Sequence, residues 1–350
     1  MRLTAENRIA ILLHDGITGT KGKTGLAMLR YSPLPIVALI DQSCPPDASL
    51  SELTGIQRSV PIVPSFKAAL TYNPDVLAIG IAPSGGTLPP AWYAEIKHAV
   101  ATGLSIVNGL HTRMSQDPDL TRLLKSNQWI WDVRQEPSDL SVGSGQARSL
   151  SCRRVLAVGT DMAVGKMSTN LELHKACQQR GIRSKVIATG QTGLMLGDDG
   201  VALDAVRVDF AAGAIEQLMM RHGPEHDILF VEGQGSLMNP ASTATLPLLR
   251  GTQPTHLVLV HRAGQRQIQH FTNFTIPPLP EVIQVYETVA AAGGTFAAPK
   301  IAGIALNTAH LGEPAAQAAI AEVIATTKLP CTDVVRYGAG LLLDSIVDDS

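Results

Sequence analysis

The feature that most narrows the possible folds is an apolar run, Val155-Leu156-Ala157-Val158, that passes directly into Gly159-Thr160-Asp161-Met162-Ala163-Val164-Gly165-Lys166. The apolar run predicts a buried strand, and the stretch from Lys166 to about Arg180 reads as a helix. A strand feeding a helix through a glycine loop is a unit of parallel α/β sheets. Backbone N–H groups of such a loop gather into a concave anion site, and the helix N-terminus adds partial positive charge. Lys166 then brings a point charge to a phosphate oxygen. A cation at a helix start is disfavoured by the helix dipole unless an anion is near, which argues against a merely structural turn. Two departures from the usual phosphate loop stand out. Five residues separate the glycines where four are usual, and Met167 stands where a magnesium-holding Ser or Thr usually follows the lysine.

The rest of the chain is organised in two α/β blocks. In the first, residues 8–14, 36–41, 60–63, 75–81 and 104–108 are predicted strands, with helices through Arg30 and over residues 92–101. In the second, the predicted strands are 155–158, 184–188, 227–231, 256–260, 300–306 and a short one near 331–335. The expected fold is α/β with two doubly wound domains. One is an N-terminal Rossmann-like domain over residues 1–140, and the other a C-terminal P-loop NTPase-like domain over 150–350. The polar, Ser- and Gly-rich stretch 135–149 reads as the linker. Aromatics are only 4% of a chain that is 45% hydrophobic, so Ala, Val, Leu and Ile must fill the interior, as in parallel sheets.

Charge and cysteine usage exclude several partners. A net charge of −2 supplies no basic field for nucleic acid. No stretch approaches the roughly 18 apolar residues of a membrane span. Cys44, Cys152, Cys177 and Cys331 are scattered with no C-x-x-C pair, which predicts reduced thiols, a cytoplasmic location and no zinc site. The remaining partners are a small-molecule substrate and, from apolar helices such as residues 315–325, a second copy in a homo-oligomer.

Three features of the second block occur in the order that a nucleotide-binding domain needs. The glycine loop comes first. The strand Ile228-Leu229-Phe230-Val231 then delivers Glu232 to its carboxyl end, where ligands of open α/β sheets sit. The strand ending at Asn307 presents an amide suited to the edge of a base. The candidate cofactor-binding residues are Gly159, Thr160, Asp161, Val164, Gly165, Lys166, Met167, Ser168 and Asn307. Ser168 is turned about 100° around the helix from Met167, so its hydroxyl does not replace the missing one. A pyrophosphate without γ-phosphoryl chemistry needs only N–H donors and a cation, so Met167 favours coenzyme A over ATP hydrolysis.

The first block carries a second glycine loop, Gly16 to Gly22-Lys23-Thr24, with Asp41 at the end of the next strand. It reads as a rival nucleotide site, a substrate loop holding its ligand with Lys23 and Thr24, or a plain turn. Ser84, Gly85 and Gly86 form a turn able to offer N–H groups to a carboxylate. Arg113 is suited to a bidentate carboxylate grip, and His111 to general-base work near neutral pH. Gln191 lies just past the strand 184–188 and is a further substrate-binding candidate. His261-Arg262 follow the strand 256–260 and point to the same mouth. The site is expected at the carboxyl ends of both sheets.

Gly159-Thr160-Asp161 with Val164-Gly165-Lys166 resembles the loop of dethiobiotin synthetase, and Val231-Glu232-Gly233-Gln234-Gly235 resembles that enzyme's acid strand. Nearly the whole chain is similar to a bacterial family long labelled only as a domain of unknown function. The resemblance is carried by His14-Asp15 with Lys23-Thr24, Gly80-Ile81-Ala82-Pro83, Asn108-Gly109-Leu110-His111 and the loop Gly159 to Met167. Some members of that family are described as D-glutamate N-acetyltransferases that use acetyl-CoA in D-amino-acid degradation. The resemblance implies acetyl transfer to a small acidic amino acid, with the loop holding the CoA phosphates and His111 or Glu232 as the base. The synthetase resemblance implies an alternative, an ATP- and Mg²⁺-dependent ligase or kinase with Asp161 and Glu232 at the metal. A nucleotide-binding sensor without turnover is the third reading.

Overall fold

Both sheets of this computed structural model are parallel throughout, which is what strands buried on both faces predict. The described residues are 3–19, 21–45, 48–81 and 88–348. Ser84, Gly85 and Gly86 therefore lie outside them. The chain divides into two units, residues 1–135 with 191–198, and residues 136–190 with 199–350.

The first unit is built on β1 (Ile9–Leu12), β2 (Ile36–Ile40), β3 (Ile62–Val63), β4 (Val76–Ile79), β5 (Ser105–Asn108) and β6 (Ile130–Asp132). Their spatial order is β3-β2-β1-β4-β5-β6, the Rossmann order, with its switch point between β1 and β4. Helices α1 (Lys23–Tyr31), α2 (Leu50–Thr54), α3 (Phe66–Ala69), α4 (Pro90–Thr102) and α5 (Pro118–Thr121) connect them. All four residues of β1 and of β4 are fully or almost fully buried. The strand β6 escapes a sequence reading because it is three residues long and only Asp132 is buried.

The second unit is a seven-stranded sheet in the order β15-β14-β11-β7-β10-β8-β9. Its strands are β7 (Arg153–Gly159), β8 (Ser184–Ala188), β9 (Asp199–Gly200), β10 (Ile228–Val231), β11 (His256–Arg262), β14 (Lys300–Asn307) and β15 (Cys331–Thr332). A separate antiparallel ribbon pairs β12 (Gln267–Ile268) with β13 (Phe271–Thr275). The helices are α6 (Lys166–Gln179), α8 (Val208–His222), α9 (Thr245–Thr252), α10 (Leu279–Ala291), α11 (Glu313–Thr327) and α12 (Gly340–Val347). The short α7 (Gln191–Met195) follows β8 in sequence but clusters with the first unit.

Strand alternation divides the second core in two. Leu156, Val158, Leu257 and Leu259 face one cluster with Ile276, Val282 and Tyr286, while Val155, Ala157, Val258 and Val260 face α6 and α12 through Leu173, Leu342 and Ile346. The stretch expected to be a linker is pinned to α8. The carboxyl of Glu216, 6% exposed, accepts from the backbone N–H groups of Ser144, Gly145 and Gln146 and from the Ser144 hydroxyl. The segment thus supplies three backbone donors and one hydroxyl to a buried acid. All four cysteines are buried and unpaired. Among the described residues no helix is long and apolar enough to cross a membrane.

Candidate functional site, a phosphate loop with a braced floor

The glycine loop leaves β7, the central strand of the second sheet, and Lys166 is the first residue of α6. Ala163 at φ +56° and Gly165 at φ +124° fold the loop inward. A non-glycine residue in the left-handed region stores on the order of 1 kcal/mol of strain, a cost found mostly at functional positions. The N–H groups of Ala163, Val164 and Gly165 donate to no acceptor among the described residues. Three successive loop donors beside a lysine are the groups that an anion cradle needs. The ammonium of Lys166, a residue 6% exposed, donates to the Asp161 carbonyl oxygen at 2.8 Å. Its stem lies against Gly233, where an added Cβ would sit 2.8 Å from Lys166 Cδ and 1.7 Å from the Ala157 carbonyl oxygen.

The Asp161 side chain holds the loop's floor together. Its carboxyl is fully buried and accepts four N–H donors, each at 2.7 Å: the Met162 backbone, Asn239 Nδ2, Gln265 Nε2 and the Gln269 backbone. Both oxygens are thereby engaged by protein donors. Tyr286, completely buried, donates its hydroxyl to the Gly159 carbonyl at 2.7 Å from 127 residues away. Asn307 donates Nδ2 to the Val164 carbonyl at 3.0 Å and accepts from Ala309 N–H at 3.1 Å, so its amide braces the loop. Glu232, 6% exposed at the end of β10, accepts from the N–H groups of Thr189 and Gly190 at 3.1 and 3.3 Å. Met167 and Ser168 are half-buried on the first turn of α6. Among the described residues no group of three or more His, Cys, Asp or Glu is placed to hold a metal ion.

Thr160 is fully buried, and its hydroxyl lies 2.8 Å from His261 Nδ1. Burial lowers the His261 imidazole from its ordinary 6.5 to about 4. The native state therefore resists a proton that the unfolded chain takes up below pH 6.5. Stability from this residue is complete above that value and is lost as the pH falls towards 4. We expect His261 to cost about 2 kcal/mol of unfolding free energy between about pH 7 and pH 4.5. Urea midpoints at the two pH values check this, and His261→Asn should remove that part of the difference.

In the first unit the structure brings several substrate candidates together. Thr24 Oγ1 lies 3.0 Å from Thr192 Oγ1, both buried, at the start of α1. A Cβ on Gly109 would touch Met195 Sδ at 3.0 Å and Gln191 Cγ at 3.3 Å. The loop 108–115 is held by Asp132, which accepts from Asn108 Nδ2, Met114 N–H and Ser115 N–H. It leaves His111 and Arg113 exposed, with Lys23 exposed at the start of α1. Desolvation, then the nearby Arg134 charge, lowers the His111 imidazole below its ordinary value. Asp41, fully buried, accepts from the N–H groups of Asp15, Ile17 and Ser43, so it shapes the first glycine loop. Of the residues bracing the phosphate loop, Tyr286, Asn239 and Gln265 carry no local sequence signal, because each acts across a long separation.

A Rossmann-like sheet followed by a parallel sheet with a phosphate loop on its central strand defines a two-domain P-loop protein. The chain belongs to the DUF1611 family. Its residues 46–136 match the family's domain of unknown function described as Rossmann-like, and residues 141–343 match the one described as a P-loop domain. It is similar to the crystal structure of a DUF1611 family protein from Anabaena variabilis, with a TM-score of 0.96 and 63% identity over 98% of this chain and 100% of that one. It is 38% identical to a D-glutamate N-acetyltransferase of Tritonibacter scottomollicae, over 97% of this chain and 98% of that protein. It is 35% identical to a D-glutamate N-acetyltransferase of a Pseudoalteromonas species, over 81% of this chain and 83% of that protein.

Proposed function

We propose that the chain transfers an acetyl group from acetyl-CoA to the amine of a small acidic amino acid of the D-glutamate type. The observation that carries this reading is its near full-length similarity to proteins named for that reaction, on a loop with Met167 in the place of the usual metal-holding hydroxyl. When bound, acetyl-CoA supplies an activated thioester. Three free N–H groups and Lys166 suit its diphosphate, whose charge needs donors and a cation but no metal. Lys23, Thr24, Arg113 and Gln191 would receive the acceptor's carboxylates, and His111 would take the ammonium proton before nitrogen attacks the carbonyl carbon. The C–S bond would then break, and the leaving CoA thiolate would take up the second proton from the nitrogen.

Two measurements test the reading. In calorimetry, CoA and acetyl-CoA should bind without magnesium; binding of ATP alone, and only with Mg²⁺, would favour a ligase instead. If His111 is the base, the acid limb of kcat/KM should lie below the ordinary histidine value, because desolvation and Arg134 lower its pKa. His111→Gln should cost about 100-fold in kcat and flatten that limb, whereas an unchanged profile would move the base elsewhere.

A further inference from the structure

The second unit contains a pocket that the phosphate loop does not account for. It has a volume of about 560 Å³ and lies between the segment after β11, the segment after β13, and α11. That is ample for a ligand the size of a substrate arm. Ile276, Leu279, Leu306 and Val323 supply apolar walls, Gln265, Thr275 and Thr326 add hydrogen-bonding groups, and Arg266 and Glu322 bring one charge of each sign to the lining. His261 lines it too, and is 7% exposed. Its Nδ1 faces Thr160, and its other ring nitrogen has no partner among the described residues. Strand alternation explains the placement, since His261 shares the β11 face of Leu257 and Leu259.

Two short bridges join this pocket to the phosphate loop. One is the 2.8 Å hydrogen bond between His261 and Thr160. The other runs from Val164, whose carbonyl accepts from Asn307 Nδ2 at 3.0 Å, to Ala263, whose N–H donates to the Asn307 carbonyl at 3.0 Å. Ala263 lines the pocket. A ligand anchored by a diphosphate on the loop thus has a mainly apolar slot with a few amide-pairing groups close by. We propose that this slot receives the acyl-pantetheine arm of coenzyme A. The arm is a chain of apolar segments separated by two amides, which suits a slot whose walls are mainly apolar with a few hydrogen-bonding groups. The inference rests on the CoA reading above.

The test compares three probes on the full chain by calorimetry: CoA, 3′-phospho-ADP lacking the arm, and pantetheine lacking the nucleotide. Wild type should bind CoA about 10-fold more tightly than 3′-phospho-ADP, and Ala319→Trp and Thr326→Trp, which fill the slot from α11, should abolish that advantage. Unchanged 3′-phospho-ADP binding shows that a variant has folded. Thr326 is exposed, so its variant carries the test if Ala319→Trp does not fold. Pantetheine alone should bind Lys166→Ala as it binds wild type, and should not bind either tryptophan variant. An advantage that persists in a folded tryptophan variant, or equal affinities for CoA and 3′-phospho-ADP in wild type, overturns the inference while leaving CoA at the loop. Saturable pantetheine binding without any nucleotide binding would keep the slot and overturn the phosphate assignment instead.

Discussion

Lys166→Ala should lower the affinity for CoA and acetyl-CoA by about 100-fold, close to 3 kcal/mol. The ammonium sits 2.8 Å from the Asp161 carbonyl in a slot walled by Gly159 and Gly233, so its charge is held at the cradle before any ligand arrives. Water can take over that carbonyl contact once the side chain is cut back. A diphosphate has no equivalent replacement, because three N–H dipoles do not offset its charge. Calorimetry on the variant checks the prediction. Retained affinity would move the diphosphate to the loop that ends at Lys23 and Thr24.

The second large effect concerns stability. Asp161→Ala should cost about 4 kcal/mol and lower the melting temperature of the second unit by about 10 °C. Removing this carboxyl leaves four N–H donors without their acceptor in a place that water does not reach. Two of those donors belong to the segment 265–269, so the ribbon β12–β13 should loosen with the loop. Asp161→Asn should recover only part of the loss, since its NH₂ group faces donors. Calorimetric melting with hydrogen exchange at residues 265–275 would show both effects. A melting temperature within a degree or two of wild type would contradict this assignment.

The sequence made the strand framework legible where apolar runs end in polar or glycine residues. The strand 184–188 is found with its expected ends, and α6 begins at Lys166 as its loop predicts. Short or exposed elements escaped. The five residues of β13 are all exposed, so no alternation betrays them, and β6 has one buried side chain. The site was legible where it is local in sequence. Asp161 was legible as a residue of the glycine loop, and Asn307 and Glu232 as polar residues at strand ends, but none of them as braces. Their roles come from partners such as Gln269, 108 residues from Asp161, which only the folded chain brings near. His261 followed a predicted strand, yet its burial depends on the packing of α10 and α11, which a strand pattern does not report.

The proposed reaction moves an acetyl group from acetyl-CoA to an acidic D-amino acid without nucleotide hydrolysis. Its most direct test mixes the purified chain with acetyl-CoA and D-glutamate, free of ATP and magnesium, and follows thiol release alongside the mass of the amino acid. One N-acetyl product should form for each CoA thiol released, and both signals should be lost in Lys166→Ala. Absence of thiol release, or a product that forms only when ATP and Mg²⁺ are added, would contradict the proposed reaction.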